Sequence, residues 1–296
     1  MASWEEEASR PRMSAVIVNY NARDHLLECI RSLRDDGVDD IVVVDNASED
    51  GSLEAVAAAD GAVVCLSTGG NLGFGAAANR GLTVARGEYL AVLNPDVLVE
   101  PGTTKALTDA FDRDAGLGAV GPRVDDRDGS LYPSARAFPG LGDAIGHAFL
   151  GFVAPRNRFS RRYRLLDWDH GSRRDVDWVS GTFILLRREA LAQAGRFDES
   201  YFMYVEDVDL CWRLSRAGWR VGYEPAGRVI HTVGASSELA PYRMIVAHHR
   251  SLLRFSARTT SGPRRILLPL VAVGLAVRTV LAWLQRARRG RPHAAL

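Results

Sequence analysis

The chain has 296 residues, 47% hydrophobic and 25% charged, with a net charge of +1 at pH 7. Such a chain can build one large or two small globular domains; wholesale disorder, a collagen-like repeat and a polytopic membrane protein are excluded. Three cysteines (Cys29, Cys65, Cys211) are too few and too scattered for a disulfide framework or a zinc site, so a reducing, cytosolic setting is expected. The small net charge hides an asymmetry. Residues 239–296 hold eleven Arg and no Asp or Glu, while the remainder carries 26 basic against 36 acidic residues, a balance of −10. An acidic body with a basic C-terminal segment calls for an anionic partner, either lipid or nucleic acid.

Residues 1–12 read as a disordered leader without the basic and apolar regions of a signal peptide, which places the body on the cytoplasmic side. Ser14–Tyr20 is a continuous β-branched run, the pattern of a strand buried on both faces. The stretch that follows has Leu26, Leu27, Ile30 and Leu33 at helical spacing, with Asp24 placed to help cap it. Ile41–Asp45 is a second strand, followed by a helix with Ser48 as its expected cap. Ala62–Ser67 is a third strand, residues 73–85 a third helix, and the run through Leu93 a fourth strand ending at Asp96. Alternating units of this length specify a doubly wound, mostly parallel α/β sheet.

In such sheets ligands bind outside the carboxyl ends of the strands. Four polar motifs fall there: Asn19-Tyr20-Asn21, DNASEDGS at 45–52, GGNLGFGAAAN at 69–79, and Asn94-Pro95-Asp96. The clustering points to a nucleotide site in the N-terminal half. Beyond residue 120 the pattern loosens into Pro- and Arg-rich loops (131–140 and 155–164). It then returns to a strand leading into a helix at 176–191, a helix from Val205 to Ala217, and two short strands, VGYEP and RVIHT. In the last third, the segment around residues 248–259 is an amphipathic helix candidate. Ile266–Leu284 is an apolar stretch of membrane-spanning length, interrupted by Arg278, kinked by Pro269 and flanked by Arg at both ends. A helix lying in the membrane interface is the preferred reading, against a core helix of the domain.

Several polar residues admit both a chemical and a structural role. Asp45 can accept a hydrogen bond from a base or a ribose, or cap a helix. Asp96, two residues after Asn94, offers oxygen to a hard cation that also takes substrate phosphates; the same tripeptide makes a good turn. Glu206, Asp207 and Asp209 open a helix, either as a solvated, dipole-compatible start or as a general base facing a cleft; Asp209 and Arg213 are an i,i+4 pair. His231 gains weight only as a partner of Asp96 on a metal.

Taken in order, the segments NYN, VVVDNASEDGS, GGNLGFGAAANRG, LNPDV, WVSGTFILLRREA, GRFDESYFMYVEDVDLCWR and the late His231 resemble the family 2 glycosyltransferases, which have a GT-A fold; the likeness spans residues 14–235. DGSLYPSAR, EDVDLCWR and the basic tail are most similar to bacterial enzymes that transfer rhamnose from dTDP-rhamnose to N-acetylglucosaminyl-diphosphoryl-polyprenol. The resemblance implies a catalytic domain over residues 13–238, split at about 120 into nucleotide-sugar and acceptor halves, with a membrane-associating segment at 239–296. It implies donor contacts by Asn19, Asn21, Asp45, Asn71, Gly73, Asn79 and Asn94, and Mg²⁺ or Mn²⁺ on Asp96 and His231. It implies an acceptor pocket shaped by Trp178, Ser180, Gly181 and Glu206, Asp207 as general base, and Arg213 on phosphate or orienting Asp207. The expected partners are a nucleotide-sugar, a lipid-linked sugar acceptor and an anionic membrane surface, met by the Arg runs at 156–164 and 264–291; nucleic acid is not expected. The alternatives are a hexose or N-acetylhexosamine from a UDP- or GDP-sugar, and a non-catalytic nucleotide-binding or membrane scaffold, whose one support is Asn94 where the usual Asp-x-Asp motif has Asp.

Overall fold

The computed structural model describes residues 10–138, 161, 163–232 and 241–288; the first nine residues of the expected leader and the Arg run up to residue 160 lie outside them. The apolar runs of the N-terminal half become parallel strands. β1 (Met13–Asn19) lies between β2 (Asp40–Asp45) and β4 (Tyr89–Leu93), with β3 (Val64–Ser67) outside β2. Helices α1 (Arg23–Asp35), α2 (Ser52–Ala59) and α3 (Phe74–Val84) make the crossovers. Every residue of β1, β2 and β4 is buried, as helix layers on both faces require. Alternation along the strands divides the side chains: Val16, Val18, Val42 and Val44 join the core with α3, and Ala15, Ile17, Ile41 and Val43 join the core with α1.

The second half adds β5 (Val97–Val99), α4 (Thr103–Arg113), β6 (Leu117–Asp126), β7 (Leu131–Tyr132), β8 (Ala135–Arg136), β9 (Arg174–Val176), β10 (Trp178–Val179) and β11 (Phe183–Arg187). After these come α5 (Arg188–Ala194), α6 (Glu206–Arg216) and β12 (Arg220–His231). The large sheet has the order β3-β2-β1-β4-β11-β6-β12-β5, with β7 on β6 and β9 on β12; β8 and β10 form a separate pair. β11 runs antiparallel to both β4 and β6, so the sheet is parallel in its first half and mixed in its second.

Local details depart from the sequence pattern. The two short strands expected in VGYEP and RVIHT are one strand, β12, whose register slips between Glu224 and Arg228. The intervening Pro225 has no N–H to give the ladder, and a bulge absorbs it. Ser48 does not cap α2, which starts behind Gly51; Ser48 is held by Asp45 and Asn21 instead. Asp24 sits in the first turn of α1 without a cap bond, and Asp50 from the next loop takes the free Arg23 N–H at 2.9 Å.

The C-terminal segment forms α7 (Pro241–Thr259), a 3-10 turn (Gly262–Leu267) and α8 (Leu268–Arg288). α7 docks on the body: His249, Ser251 and Phe255 are buried, and Ser251 Oγ donates to the Met203 carbonyl at 3.0 Å. Arg258 reaches Asp198 at 2.6 Å and Asp209 at 3.2 Å. Pro269 occupies the first turn of α8, directly after the 3-10 turn, where no backbone N–H is needed. α8 is not a core helix either. Residues Gly262–Ala287 are long and apolar enough to cross a membrane, and none of the 18-residue window with mean hydropathy 2.1 is buried. Leu270, Val273, Val277, Val280, Leu281 and Leu284 are all exposed and recur at i, i+3, i+4 spacing along one face.

Candidate active site

A pocket of 680 Å³ opens at the carboxyl ends of β1 and β4. Its wall includes Asn71, Gly73, Asn94, Asp96, Trp178, Ser180, Gly181, Glu206, Asp207 and His231, ten side chains or backbones drawn from five separate stretches of the chain.

The loop before α3 is held by Asn46. Its Oδ1 accepts from the Leu72 N–H at 2.8 Å, and its Nδ2 donates to Asn71 Oδ1 at 3.1 Å and the Gly73 carbonyl at 3.2 Å. Asn46 is itself presented by a turn in which Asp45 accepts from the Ser48 N–H at 2.9 Å and from Asn19 Nδ2 at 2.8 Å. Gly73 has φ +87, and the Phe202 carbonyl lies 2.1 Å from where a Cβ would stand. The Phe74 N–H donates to that carbonyl at 3.0 Å, so this loop and the segment leading into α6 are closed on each other.

Asp96 and His231 meet although 135 residues separate them, because β12 ends beside β5, the strand that follows Asp96. Asp96 Oδ1 is 3.2 Å from His231 Nε2, and Asn94 Nδ2 is 3.3 Å from the same nitrogen. Both residues are under a tenth exposed, yet Asp96 Oδ1 has no hydrogen-bond partner among the described residues. Buried polar atoms in that condition are costly unless a ligand completes them. A separation of 3.2 Å is that of two adjacent ligands on one divalent cation with bonds of about 2.1 Å. Among the described residues no third His, Cys, Asp or Glu joins them. The residues therefore fit a cation whose remaining ligands are water and substrate oxygens, the usual arrangement for phosphate-bound Mg²⁺.

Tyr204 (φ 65) and Val205 (φ 72), which also line the pocket, take left-handed backbone conformations that non-glycine residues adopt only under constraint. This turn aims the first residues of α6 into the pocket. Asp207 Oδ2 accepts from the Gly181 N–H and Oδ1 from the Val208 N–H, both at 2.8 Å. Dehydration nevertheless raises the Asp207 pKa above the usual aspartate range, against the lowering effect of those two N–H groups and of Arg136. Glu206 is buried, its Oε2 has no partner among the described residues, and burial together with the Asp207 charge pushes its carboxyl up to about 8. Both carboxyls are thus raised, and Asp207 is the one of the pair held by two backbone donors.

This has a stability consequence. Between about 4.3, the ordinary glutamate value, and its folded value, Glu206 binds a proton in the folded but not the unfolded chain, so stability falls as pH rises through that window. Glu206→Gln mimics the protonated form. Its melting temperature should come closest to wild type below pH 4 and exceed it by several degrees at pH 9; a difference independent of pH would refute the assignment.

Arg136 was hidden in a stretch that reads as a loop. Its guanidinium sits 5.1 Å from the Trp178 ring, 5.6 Å from Tyr132 and 5.7 Å from Tyr163. Burial works against its charge, but the two tyrosine hydroxyls and Asp207 outweigh it and raise its pKa. Thr182, whose hydroxyl is 3.0 Å from that of Ser180, and Arg243, Met244 and His248 of α7 also line the pocket. The sequence signal for Asn46 was its place beside Asp45 at a strand end; for the α7 residues there was none.

Some expected residues lie behind the wall. Asn19 and Asp45 bond each other and Ser48. Asn21, at φ 49, accepts from the Glu49 N–H. Asn79 is consumed by Phe197 and Glu199. Arg213 does not touch Asp207: it pairs with the fully buried Asp209 at 2.8 Å and donates to the Ala194 and Gly195 carbonyls at the end of α5. Its i,i+4 geometry was read correctly, but α6 turns that face away from the pocket.

The profile of glycosyl transferase family 2 matches residues 14–194. The chain is 39% identical to an N-acetylglucosaminyl-diphospho-decaprenol L-rhamnosyltransferase of Mycobacterium tuberculosis, over 94% of this chain and 95% of that protein. It is 29% identical to a rhamnosyltransferase of Escherichia coli (strain K12), over 82% of this chain and 92% of the relative. Among solved structures, a mannosyltransferase of Pyrobaculum calidifontis shares the fold, with a TM-score of 0.58 at 18% identity, over 96% of this chain and 77% of that one. With most of its length matched by a full-length relative and its strand-end motifs gathered around one pocket, the chain belongs to glycosyl transferase family 2.

Proposed function

We propose that this protein transfers L-rhamnose, with inversion, from dTDP-rhamnose to a sugar carried on a polyprenyl diphosphate at the cytoplasmic face of the membrane. The observation that carries the reading is the gathering of two groups in the lining of one pocket: Asp96 with His231, and Asp207. The 39% identity to a rhamnosyltransferase whose name specifies such an acceptor supports the choice of sugar and lipid. The exposed apolar face of α8, flanked by Arg264, Arg265 and Arg286, supports work at a membrane surface.

In this reading Asn71, Gly73 and Asn94 border the donor, with Asn19, Asn21, Asp45 and Asn79 shaping that wall from behind. Trp178, Ser180, Gly181 and Glu206 border the acceptor sugar. Asp207, held by the Gly181 and Val208 N–H groups, takes the proton of the acceptor hydroxyl as that oxygen attacks the anomeric carbon. The glycosidic C–O bond forms as the bond to the nucleoside diphosphate breaks, in one displacement. Neutral Glu206 adds no second negative charge beside the attacking oxygen. Mg²⁺ or Mn²⁺ held by Asp96 and His231 would supply positive charge to the leaving diphosphate. Arg213 acts on the fold through Asp209.

The test is a donor panel. Purified protein with Mg²⁺ or Mn²⁺ and a short-chain N-acetylglucosaminyl-diphosphoryl lipid is given dTDP-rhamnose, UDP-sugars or GDP-mannose, and product mass is read. Rhamnosyl product from dTDP-rhamnose alone is expected; preferential transfer from another donor discards the rhamnose assignment. His231→Ala should raise the metal concentration for half-maximal rate on the order of tenfold or more. An unchanged metal requirement would remove His231 from the ligand set.

A further inference from the structure

A second cavity, a groove of 950 Å³, runs along α7 between Trp283 of α8 and the segment Ser200–Phe202. Phe202, Arg243 and Met244 border both this groove and the catalytic pocket, so the two adjoin. Arg243, Arg250 and Arg254 line it at spacings of seven and four, which puts them within an arc of about 40° on one helical face. All three are exposed, and among the described residues none is paired with a carboxylate, whereas Arg258 on the same helix is committed to Asp198 and Asp209. Arg254 lies 5.9 Å from the Tyr201 ring, and no acidic residue occurs anywhere after Glu238. Beside the arginines the groove is apolar, with Met244, Leu253 and Trp283.

A file of exposed guanidinium groups beside an apolar floor has the chemistry of one kind of ligand: a compact polyanion joined to a hydrocarbon chain. We propose that this groove binds the diphosphate and the first isoprenoid units of the lipid-linked acceptor. Arg243, Arg250 and Arg254 take the phosphate oxygens, the apolar side chains take the hydrocarbon, and the sugar passes the Phe202–Met244 junction towards Asp207. The proposal rests on the lipid-linked acceptor read above. Guanidinium forks pair with phosphate oxygens in charge-assisted hydrogen bonds. The volume is in the range that encloses most of a small organic ligand. A bilayer headgroup surface is the lesser fit, because the arginines line a concavity that adjoins the catalytic pocket.

Calorimetry with the full chain in detergent tests this, using farnesyl diphosphate, farnesol and inorganic pyrophosphate as probes. The variant is Arg250→Gln/Arg254→Gln, which spares Arg243 because that residue also borders the catalytic pocket. Wild type should bind farnesyl diphosphate saturably, and farnesol and pyrophosphate each about tenfold more weakly or less; the double variant should lose about tenfold in affinity for farnesyl diphosphate. With a farnesyl-diphosphate-linked N-acetylglucosamine acceptor, its KM should rise by a similar factor while kcat moves less than about twofold. Equal binding of farnesyl diphosphate by both proteins overturns the proposal. So does a loss seen only in sedimentation with phosphatidylglycerol vesicles, which would assign the arginines to the membrane surface. If the double variant transfers sugar with an unchanged acceptor KM, the groove assignment falls and the acceptor reading stands. If farnesyl diphosphate binds as expected but no donor glycosylates a prenyl diphosphate acceptor, the groove stands and the acceptor reading falls.

Discussion

Asp207→Asn is expected to lower the transfer rate by roughly 10³-fold while leaving the protein folded. The carboxylate is the group in the pocket that combines a negative charge with two backbone donors holding it in place. An amide of the same shape cannot take the acceptor proton. The structural cost is small, because dehydration already disfavours the charge of Asp207 and the Asn oxygen can still accept from one of the two N–H groups. The rate should be followed together with circular dichroism and the melting temperature. Near-normal turnover would remove Asp207 from the base role; a collapsed spectrum would show that its role is structural. The acid limb of the wild-type pH profile offers a companion reading. Since the pKa of Asp207 is raised, activity should fall at a pH above the ordinary aspartate range, and that limb should be absent from the residual activity of the variant.

Gly73→Ala is expected to abolish transfer by a different route. At φ +87 an L-residue is strained, and the added methyl would stand 2.1 Å from the Phe202 carbonyl oxygen, where no side-chain rotation can relieve it. The backbone must separate, breaking the Phe74 N–H bond to that carbonyl and detaching the Asn71–Gly73 loop from the turn that presents Glu206 and Asp207. Strain of this kind costs on the order of 1–3 kcal/mol before the steric term. A melting temperature lowered by several degrees together with loss of turnover is expected. Gly181→Ala is the control. A Cβ there meets Phe74 and Asp207 atoms at 3.5–3.6 Å, an ordinary contact, and the Gly181 N–H that serves Asp207 is retained. It should keep the fold and the wild-type melting temperature. If the two variants behave alike, close packing at Gly73 is not what joins the halves of the site.

The layered α/β architecture followed from the sequence alone because its cause is local. Runs such as Ala15–Val18 and Ile41–Val44 are apolar at every position, and only a strand covered on both faces buries them all. Once these strands are parallel, chain polarity puts Asn19, Asp45 and Asn94–Asp96 at one edge, so the location of the site was legible too. Its membership was not. Asn79 and Arg213 satisfy every local criterion for a functional polar residue, yet the helix faces that carry them turn to Phe197 and to the end of α5. Arg136, in an irregular stretch, is drawn between three aromatic rings by residues from 132 to 178. The meeting of Asp96 with His231 depends on strand order across the sheet, and the raised pKa values of Glu206 and Asp207 depend on burial; neither has a counterpart in residue spacing. The C-terminal segment divides in the same way. Its charge and the apolar run of α8 are properties of composition, and they pointed to a membrane surface before any fold was known. That α7 instead closes one side of the pocket and lines the neighbouring groove with arginines was decided by the packing of Ser251 and Phe255 against the body, a contact between chain segments about fifty residues apart.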